Sequence, residues 1–392
     1  MNVIPTIAQL YSDILSDLET EYGGINIPLK KKVYLRAQAA VQAAKLKIFY
    51  LGIADLQKNI FVDTANSESK GGTLERFGRV KLKRNPFPAV AGVYTIQVTG
   101  TVGGVVPANT TFKSNDDSLN PSKLFISDSS YTLDASPYNI SVRALEAGTD
   151  SQLNIGDELT ATAPMALVDS IGTVTVQTTE PLAAETTEAY RQKALEAYRL
   201  EPQGGAVGDY RLWSNDAQGV QRVYPYAKSN ATSEVNLFVE ATIADSTDGK
   251  GTPSPTLLAA VEEVVNFDPD TSKPTNERGR RPLTVIVNYL PVTIRTVDIN
   301  IASFSGITPA IESTIQSTIA SYLGTVRPFI AGADILSLKN DIFDVNTIIS
   351  LILAARPGSI FGEVTLMIDG VEYSTFTFEN GDIPFLNPIT YS

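Results

Sequence analysis

The chain has 392 residues, of which 43% are hydrophobic and 19% are charged, a composition typical of a globular protein with about two to four domains. It contains no histidine and no cysteine, which excludes the usual Ser-His-Asp arrangement, cysteine nucleophiles, disulfides and His- or Cys-ligated metal sites. Its net charge of −12 disfavours a nucleic-acid surface, and no apolar run reaches the roughly 18 residues of a membrane span. Because the usual catalytic groups are missing, we expect a structural protein that is not an enzyme. The first residues lack the basic and apolar segments of a signal peptide, so we expect the protein to be used without signal-directed secretion.

Two helices are predicted in residues 1–88. The first has an apolar stripe at helical spacing and ends at the glycines 23 and 24, and the second covers residues 29–59. The stripe of the first helix is Ile7, Leu10, Tyr11, Ile14 and Leu18, and the predicted apolar face of the second is Val33, Ala37, Ala40, Val41 and Ala44. No predicted strand lies nearby to cover them, so packing against helices of another subunit is slightly favoured over docking on their own domain.

The pattern changes to short alternating runs in residues 89–182. Tyr94, Ile96 and Val98 alternate with polar residues, as in a half-buried strand, and residues 139–143 and 172–178 have the same character. Glycine, asparagine, aspartate and proline separate these runs. The sequence therefore predicts one β-rich domain here.

Helical signals return in residues 183–290. Thr187 is predicted to cap a helix, strands are predicted at residues 220–225, 235–243 and 284–289, and Ser254-Pro255 is a typical helix start. In residues 291–392 we predict a strand over residues 292–301, a helix from Thr308-Pro309 to Gly324, a short helix over residues 334–343 and a final hairpin that turns at Asp369-Gly370.

These elements predict an α+β multidomain chain. Its parts are an N-terminal helical region (1–88), a β-rich domain (89–182), an α/β middle domain (183–290) and a C-terminal α+β domain (291–392).

Four short motifs follow one another between residues 92 and 199. They are Gly100-x-x-Gly103 with Val106-Pro107-Ala108-Asn109-Thr110-x-Phe112; Leu124-Phe125-Ile126-Ser127; Val142-x-Ala144-x-x-x-Gly148 with Asn154 and Gly156; and Glu185-Thr186 with Tyr190-Arg191-x-Lys193. In this order they resemble the turns, strands and following helix of the baseplate J-like family. Gly219-Val220-x-x-Val223 and the segment from Arg281-Pro282 to Val287 are similar to later elements of that family. The chain departs from the family pattern at Asn109, at Thr186-Thr187 and in the length of residues 352–378.

The resemblance implies a structural wedge subunit in the baseplate of a contractile phage tail or a related injection machine, which transmits the trigger for sheath contraction. Members of the family typically join another copy of themselves and a smaller wedge protein through their N-terminal helices. Their wedges form a ring around a central hub and are linked through the C-terminal domains. The implied partners are a second copy, smaller wedge proteins, neighbouring wedges, the hub or spike and sheath-initiating proteins. No nucleic acid, membrane insertion, cofactor, metal or catalytic residue is implied, and the location is the virion tail after assembly in the host cytoplasm.

Four groups of charged residues offer candidate sites. Asp245 and Asp248 with Gly249 and Gly251 suggest a calcium loop, but the ligand pattern is incomplete, which favours a polar turn. A basic run suits a nucleic-acid patch, although the acidic chain favours a solvated or protein-facing surface; the run is Arg76, Arg79, Lys81, Lys83 and Arg84. Two carboxylate pairs suggest a glycosidase, but exposed helix positions are the ordinary explanation; they are Glu262-Glu263 and Asp341 with Asp344.

Two alternatives to the baseplate function stay open. A carbohydrate-binding or fibre-like virion protein predicts an exposed aromatic cluster in the β-rich domain. A hydrolase that uses only carboxylates predicts one acidic residue whose loss abolishes activity without affecting assembly.

Overall fold

The computed structural model describes residues 4–22, 28–68, 72–200, 204–231 and 233–392. The chain forms two compact units, Met1–Asn85 and Pro86–Ser392. The first unit is helical in its described part, and the second combines helices with several sheets, so the predicted α+β class is confirmed. The predicted four-domain division stays a prediction. Among the described residues, no helix is long and apolar enough to cross a membrane.

The first unit is built on a helical hairpin. Helix α1 (Ile7–Glu21) begins at Thr6, whose hydroxyl accepts a hydrogen bond from Gln9 N at 3.2 Å, and helix α2 covers Leu29–Lys58. Lys47 Nζ donates to Pro5 O at 2.9 Å, which places the start of α1 beside the middle of α2 and makes the two helices antiparallel. Both predicted helices are confirmed, while the predicted break at glycines 23 and 24 lies outside the described residues.

The predicted apolar face of α2 is not the face that packs on α1. The side chains of Val33 and Val41 are 63% and 55% exposed, and the three alanines predicted with them are exposed as well. The buried residues are instead Leu35, Ala39 and Ala43, each four positions after the last, which form a narrow seam of mostly small side chains. Since α2 is apolar around most of its circumference, its sequence periodicity does not select the face that packs on α1.

A third helix of this unit, α3 (Thr73–Lys81), was not predicted. It buries Leu74, Glu75 and Gly78 on one face. The hydroxyl of Ser67 donates a hydrogen bond to the buried Glu75 carboxylate.

The second unit starts with a closed six-stranded barrel in the order β1-β6-β4-β3-β7-β8. The strands are β1 Val93–Gly100, β2 Val105–Val106, β3 Thr111–Ser114, β4 Leu124–Ile126, β5 Tyr131–Thr132, β6 Tyr138–Ala144, β7 Glu158–Ala161 and β8 Val168–Thr179; β2 and β5 form a small separate pair. The predicted alternation is confirmed, because Tyr94, Ile96 and Val98 are all completely buried in the barrel core. Asn109, which stands where the family has glycine, adopts a φ of 66°, a left-handed conformation that asparagine tolerates better than most residues.

The next part is a three-stranded sheet covered by helices. It contains α4 Thr187–Arg199, α5 Val207–Ser214, β9 Val220–Ala227, β10 Glu234–Ala241, α6 Pro255–Asn266 and β11 Ile286–Pro291, with β10 antiparallel to β9 and parallel to β11. Ser254 caps α6 as predicted, since its hydroxyl accepts from Leu257 N at 3.1 Å. The predicted cap of α4 is wrong by one position, because Thr186 rather than Thr187 accepts from Ala189 N, at 3.2 Å.

The last part is a sheet centred on β12 with two helices against it. Its elements are β12 Thr293–Ile301, α7 Pro309–Leu323, β13 Ile342–Asp344, α8 Val345–Ala355, β14 Val364–Ile368, β15 Val371–Tyr373, β16 Thr375–Thr377, β17 Asp382–Leu386 and β18 Thr390–Tyr391. The predicted turn is confirmed, because Asp369 and Gly370 have φ of 50° and 78°, as a type I′ turn requires. The helix predicted over residues 334–343 is wrong: the segment holds a 3-10 turn at Leu336–Leu338 and then β13.

Candidate functional site

A buried arginine joins α5 to a segment far along the chain. Arg211 is 1% exposed, and its guanidinium donates to both carboxylate oxygens of Asp334, 123 residues away. It also donates to Glu196 on α4 at 3.3 Å and, through Nε, to the backbone oxygen of Val223 on β9 at 3.3 Å. Burial alone would raise the pKa of Asp334, but the hydrogen bonds and positive charge of Arg211 outweigh it and lower that pKa.

A second network lies between the same sheet and the segment after α7. Arg327 donates through Nε to Glu240 on β10 at 3.0 Å. The hydroxyl of Tyr224 donates to the other oxygen of Glu240 at 2.6 Å. Burial and the neighbouring Glu240 raise the pKa of Tyr224 well above its ordinary value, so this tyrosine stays a neutral hydrogen-bond donor.

Both networks border a cleft of about 1040 Å³ between α4, β9 and residues 324–340. The half-buried Arg222 also lines it, and no hydrogen bond or ion pair joins its guanidinium to the part of the chain that the structure describes. Ile335 and Leu338 form an apolar edge, 42% and 72% exposed. Glu196, Glu240 and Asp334 are each bonded to an arginine, and the lowered pKa of Asp334 is the opposite of the raised pKa that a general acid needs at neutral pH.

The second half of α2 presents a large apolar surface. Residues 48–58 continue past the start of α1 for roughly 16 Å, at 1.5 Å per helical residue. The exposed apolar residues in and after this stretch are Ile48, Phe49, Tyr50, Leu51, Ile53, Leu56, Ile60 and Phe61, each between 38% and 70% exposed. We call these residues the apolar surface of α2. An exposed apolar patch of this extent marks an interaction site more often than a solvated face.

The candidate calcium loop is a hydrogen-bonded turn. The carboxylate of Asp248 accepts from Lys250 N at 2.9 Å and from the hydroxyl of Thr252 at 2.6 Å. The carboxylate of Asp245 accepts from Ala183 N at 2.7 Å. Across the described ranges, no group of three or more acidic side chains is arranged to hold a metal ion.

The two candidate carboxylate pairs lie in ordinary structural positions. Glu262 and Glu263 are exposed on α6. Asp341 forms an ion pair with Lys339 at 3.4 Å, and Asp344 caps α8 by accepting from Thr347 N at 2.7 Å. The structure therefore gives neither pair a place for a substrate between its carboxylates.

The basic run lies on and after α3. Arg76, Arg79 and Lys83 are exposed, and Arg76 and Arg79, three residues apart, share one side of α3, while Lys83 follows just after the helix ends. Lys83 has a φ of 58°, which is where the helical path ends.

No sequence pattern indicated the charged cleft. Arg211, Glu240, Arg327 and Asp334, which form the networks beside it, are single charges without a motif. Only the position of Arg211 in a helix between Tyr210 and Trp213 hints at burial. The partner of such a charge becomes visible only when the fold brings distant segments together.

Comparison with known proteins identifies one part of the chain. Residues 202–291 match the family model of the "Baseplate J-like central domain". A chain in the cryo-EM structure of the anti-feeding prophage (AFP) baseplate, 6-fold symmetrised, is similar with a TM-score of 0.46 and 10% identity, covering 96% of this chain and 90% of that chain. No curated protein matches the sequence.

Proposed function

From the baseplate J-like central domain that the chain carries, we propose that the protein is a wedge subunit in the baseplate of a contractile phage tail or a related injection system. The family match over residues 202–291 is the observation that carries this proposal. It confirms the resemblance in the part that contains Gly219-Val220 and Arg281-Pro282, while the motifs between residues 92 and 199 lie outside it. The match supports a structural role in a baseplate. The place in the wedge, the ring and the trigger are the finer parts of the proposal.

The apolar surface of α2 supports a helical interface with other subunits. Burying apolar area is the main driving force of association, and the apolar surface of α2 has eight large apolar side chains at least 38% exposed. We propose that it packs against the corresponding helices of a second copy and of a smaller wedge protein. The hub or spike, neighbouring wedges and sheath-initiating proteins complete the proposed set of partners.

The charged cleft supports a mechanical role for the rest of the chain. Arg211 and Arg327 join residues 324–340 to the sheet of β9, β10 and β11 through buried charges, and losing one partner of such a pair is costly because the other charge is left buried. We propose that the C-terminal part, residues 291–392, makes the ring contacts, and that these networks hold one arrangement until the trigger shifts it.

The proposal is tested first on particles. Cryo-electron microscopy of intact tail-like particles, with mass spectrometry of their isolated baseplates, is expected to find this chain in the ring around the hub. Particles that assemble complete baseplates without it contradict the wedge assignment.

A second test uses the purified full-length chain. Ile48→Glu with Phe49→Glu is expected to abolish self-association measured by sedimentation velocity, because it places two charges in the apolar surface of α2. Leu283→Glu is the matched control, since Leu283 is fully exposed and lies outside that surface. Unchanged self-association of the double variant contradicts the helical interface.

The two alternatives gain no support from the site. In the barrel, Tyr94, Phe112 and Phe125 are buried and Tyr131 and Tyr138 are half-buried, so the aromatic residues described there form no exposed platform for a sugar. The carboxylates proposed for hydrolysis are a helix cap, an ion-paired residue and two exposed helix positions. A glycan array and a hydrolase assay on the full chain check both alternatives directly.

A further inference from the structure

Charge is divided unequally along the chain. Residues 1–85 contain thirteen lysines and arginines against eight acidic residues, a net charge of +5. Residues 86–392 contain eighteen against thirty-five, a net charge of −17. The overall charge of −12 therefore conceals a basic first unit and a strongly acidic second unit.

Within the first unit, the charges of the helical hairpin largely offset one another. α1 carries Asp13, Asp17, Glu19 and Glu21 and no cation, and α2 begins with Lys30, Lys31 and Lys32. Because the helices are antiparallel, the acidic end of α1 and the basic start of α2 lie at the same end of the hairpin.

The excess of positive charge in the first unit is concentrated in residues 72–85. This segment has five cations and one acidic residue, Glu75, which is 5% exposed and turned into the unit. We call the exposed side chains of Arg76, Arg79 and Lys83 the basic face. The interaction of a cation with the helix dipole near the C-terminus stabilises the helix by only about 0.3–1 kcal/mol. This small gain does not by itself explain three exposed cations in so short a segment.

The β-barrel region has the opposite excess. Residues 86–182 contain ten acidic residues and three cations. Two of those cations are already paired, Lys123 with Glu146 at 3.4 Å and Arg143 with Asp128 at 2.9 Å. Little positive charge is left to balance the remaining carboxylates.

Three exposed carboxylates lie together at one end of the barrel. Asp116 and Asp117 are in the loop after β3, and Glu158 begins β7. Asn115 N donates to Glu158 O at 3.0 Å, which holds this loop beside the start of β7. We call these three side chains the acidic end.

We propose that the basic face of one copy docks on the acidic end of the barrel of a second copy. The two surfaces are of opposite sign and equal number in every chain, so each copy offers one of each. A contact between different surfaces of identical chains is either reciprocal, which gives a two-fold dimer, or head-to-tail, which closes into a ring when the rotation between copies allows it. This contact is separate from the proposed packing of α2, because it depends on charge and not on apolar area.

A polyanion such as DNA is the other partner that a basic face attracts. The aromatic residues next to the basic run in sequence, Phe77 and Phe87, are both half-buried, so neither offers an exposed ring for base stacking. A second copy also supplies the complementary charge without any further component. The experiment includes DNA as an opposing outcome.

The test measures self-association of the full-length chain by sedimentation velocity at about 50 mM and 500 mM NaCl. Arg76→Glu with Arg79→Glu and Lys83→Glu is expected to weaken association by about tenfold or more at low salt. The wild type at high salt is expected to weaken similarly, because the screening length falls from about 14 Å to about 4 Å. Arg76→Lys with Arg79→Lys is the matched control and is expected to associate as the wild type does.

A mixing experiment then identifies the partner surface. Asp116→Lys with Asp117→Lys and Glu158→Lys is expected to be as defective alone as the basic-face variant, while an equimolar mixture of the two recovers association through their reversed charges. Circular dichroism confirms that each variant is folded, as expected for exposed positions.

Several results overturn the proposal. They are self-association that is indifferent to the basic-face variant, no recovery in the mixture, or binding of a DNA duplex by the basic face without self-association. Loss of association in the Ile48→Glu, Phe49→Glu variant at both salt concentrations, with the charge variants unaffected, supports the α2 interface and contradicts only this second contact.

Discussion

Replacing Arg211 by methionine tests whether the buried charge network stabilises the sheet of β9, β10 and β11 and the helices around it. Methionine keeps an apolar stem of similar length but removes every hydrogen bond that the guanidinium makes to Asp334, Glu196 and the backbone of β9. The carboxylates left behind are 15% and 13% exposed, so neither is fully hydrated. Removing one partner of a buried pair costs roughly 3–5 kcal/mol. Because the cleft admits water and Arg199 lies 3.7 Å from Glu196, we expect the low end, about 3 kcal/mol.

The assay uses the chain's single tryptophan. Trp213 lies on the same helix as Arg211 and packs edge-on against Tyr210, with ring centroids 5.4 Å apart, so its fluorescence reports unfolding of this region. Urea unfolding at pH 7 is expected to show the loss in free energy. Lys228→Met is the control, because its ion pair with Glu234 has partners 44% and 24% exposed and is worth at most about 1 kcal/mol. A loss below about 1 kcal/mol for Arg211→Met refutes the assigned role.

The pH dependence of that difference follows from Asp334. Its folded pKa is lowered from the ordinary 3.8, so its ion pair contributes stability above the unfolded pKa and loses it as pH falls through the folded value. The gap between wild type and Arg211→Met is therefore expected to narrow as the pH falls from 7 to about 3. A gap that stays constant over this range shows that the lost energy comes from packing and not from the charge.

Two further substitutions probe the same body of the protein. Glu240→Gln is expected to lower the free energy of unfolding by about 2–3 kcal/mol, because Arg327 loses its carboxylate partner while the amide oxygen still accepts one hydrogen bond. Urea unfolding measures this loss, and an unchanged stability contradicts the pairing. Gly381→Ala is expected to cost more than about 2 kcal/mol, since its φ is 80° and an added Cβ would lie 2.5 Å from the ring of Phe238. Gly249→Ala is its control, because Gly249 has a φ of 66° but open space around the added Cβ. An equal loss of stability in the two variants would show that the clash with Phe238 contributes nothing.

Elements with local signals were predicted from the sequence. Ser254 followed by proline gave the start of α6, and Asp369-Gly370 gave the hairpin turn, because a cap or a tight turn is determined by a few neighbouring residues. The alternation around Tyr94 gave the barrel strand β1 for the same reason.

Elements without a local signal were missed. Helix α8 (Val345–Ala355) has Ile348 and Ile352 at helical spacing but lacks the Ser-Pro or Thr-Pro start of α6 and α7, and its cap Asp344 was instead considered as a catalytic candidate. The face of α2 that packs on α1 was not predicted, since several faces of that helix are equally apolar. The closure of the barrel and the pairing of Arg211 with Asp334 depend on contacts between residues far apart in sequence, which single-sequence patterns do not specify.

The distribution of charges and apolar side chains gives the two units different roles. In the cleft of the second unit, Glu196, Glu240 and Asp334 are each bonded to an arginine, so these charges form contacts within the chain. In the described part of the first unit, the large apolar side chains of α2 are exposed and the basic face is turned outward. The ion pairs inside the second unit favour a rigid fold. The exposed surfaces of the first unit are available for contacts with other copies. We infer that the first unit contributes the apolar surface of α2 and the basic face to assembly, while the paired charges of the second unit hold its own fold together, so variants of α2 and the basic face should change association while leaving the urea unfolding monitored by Trp213 unchanged.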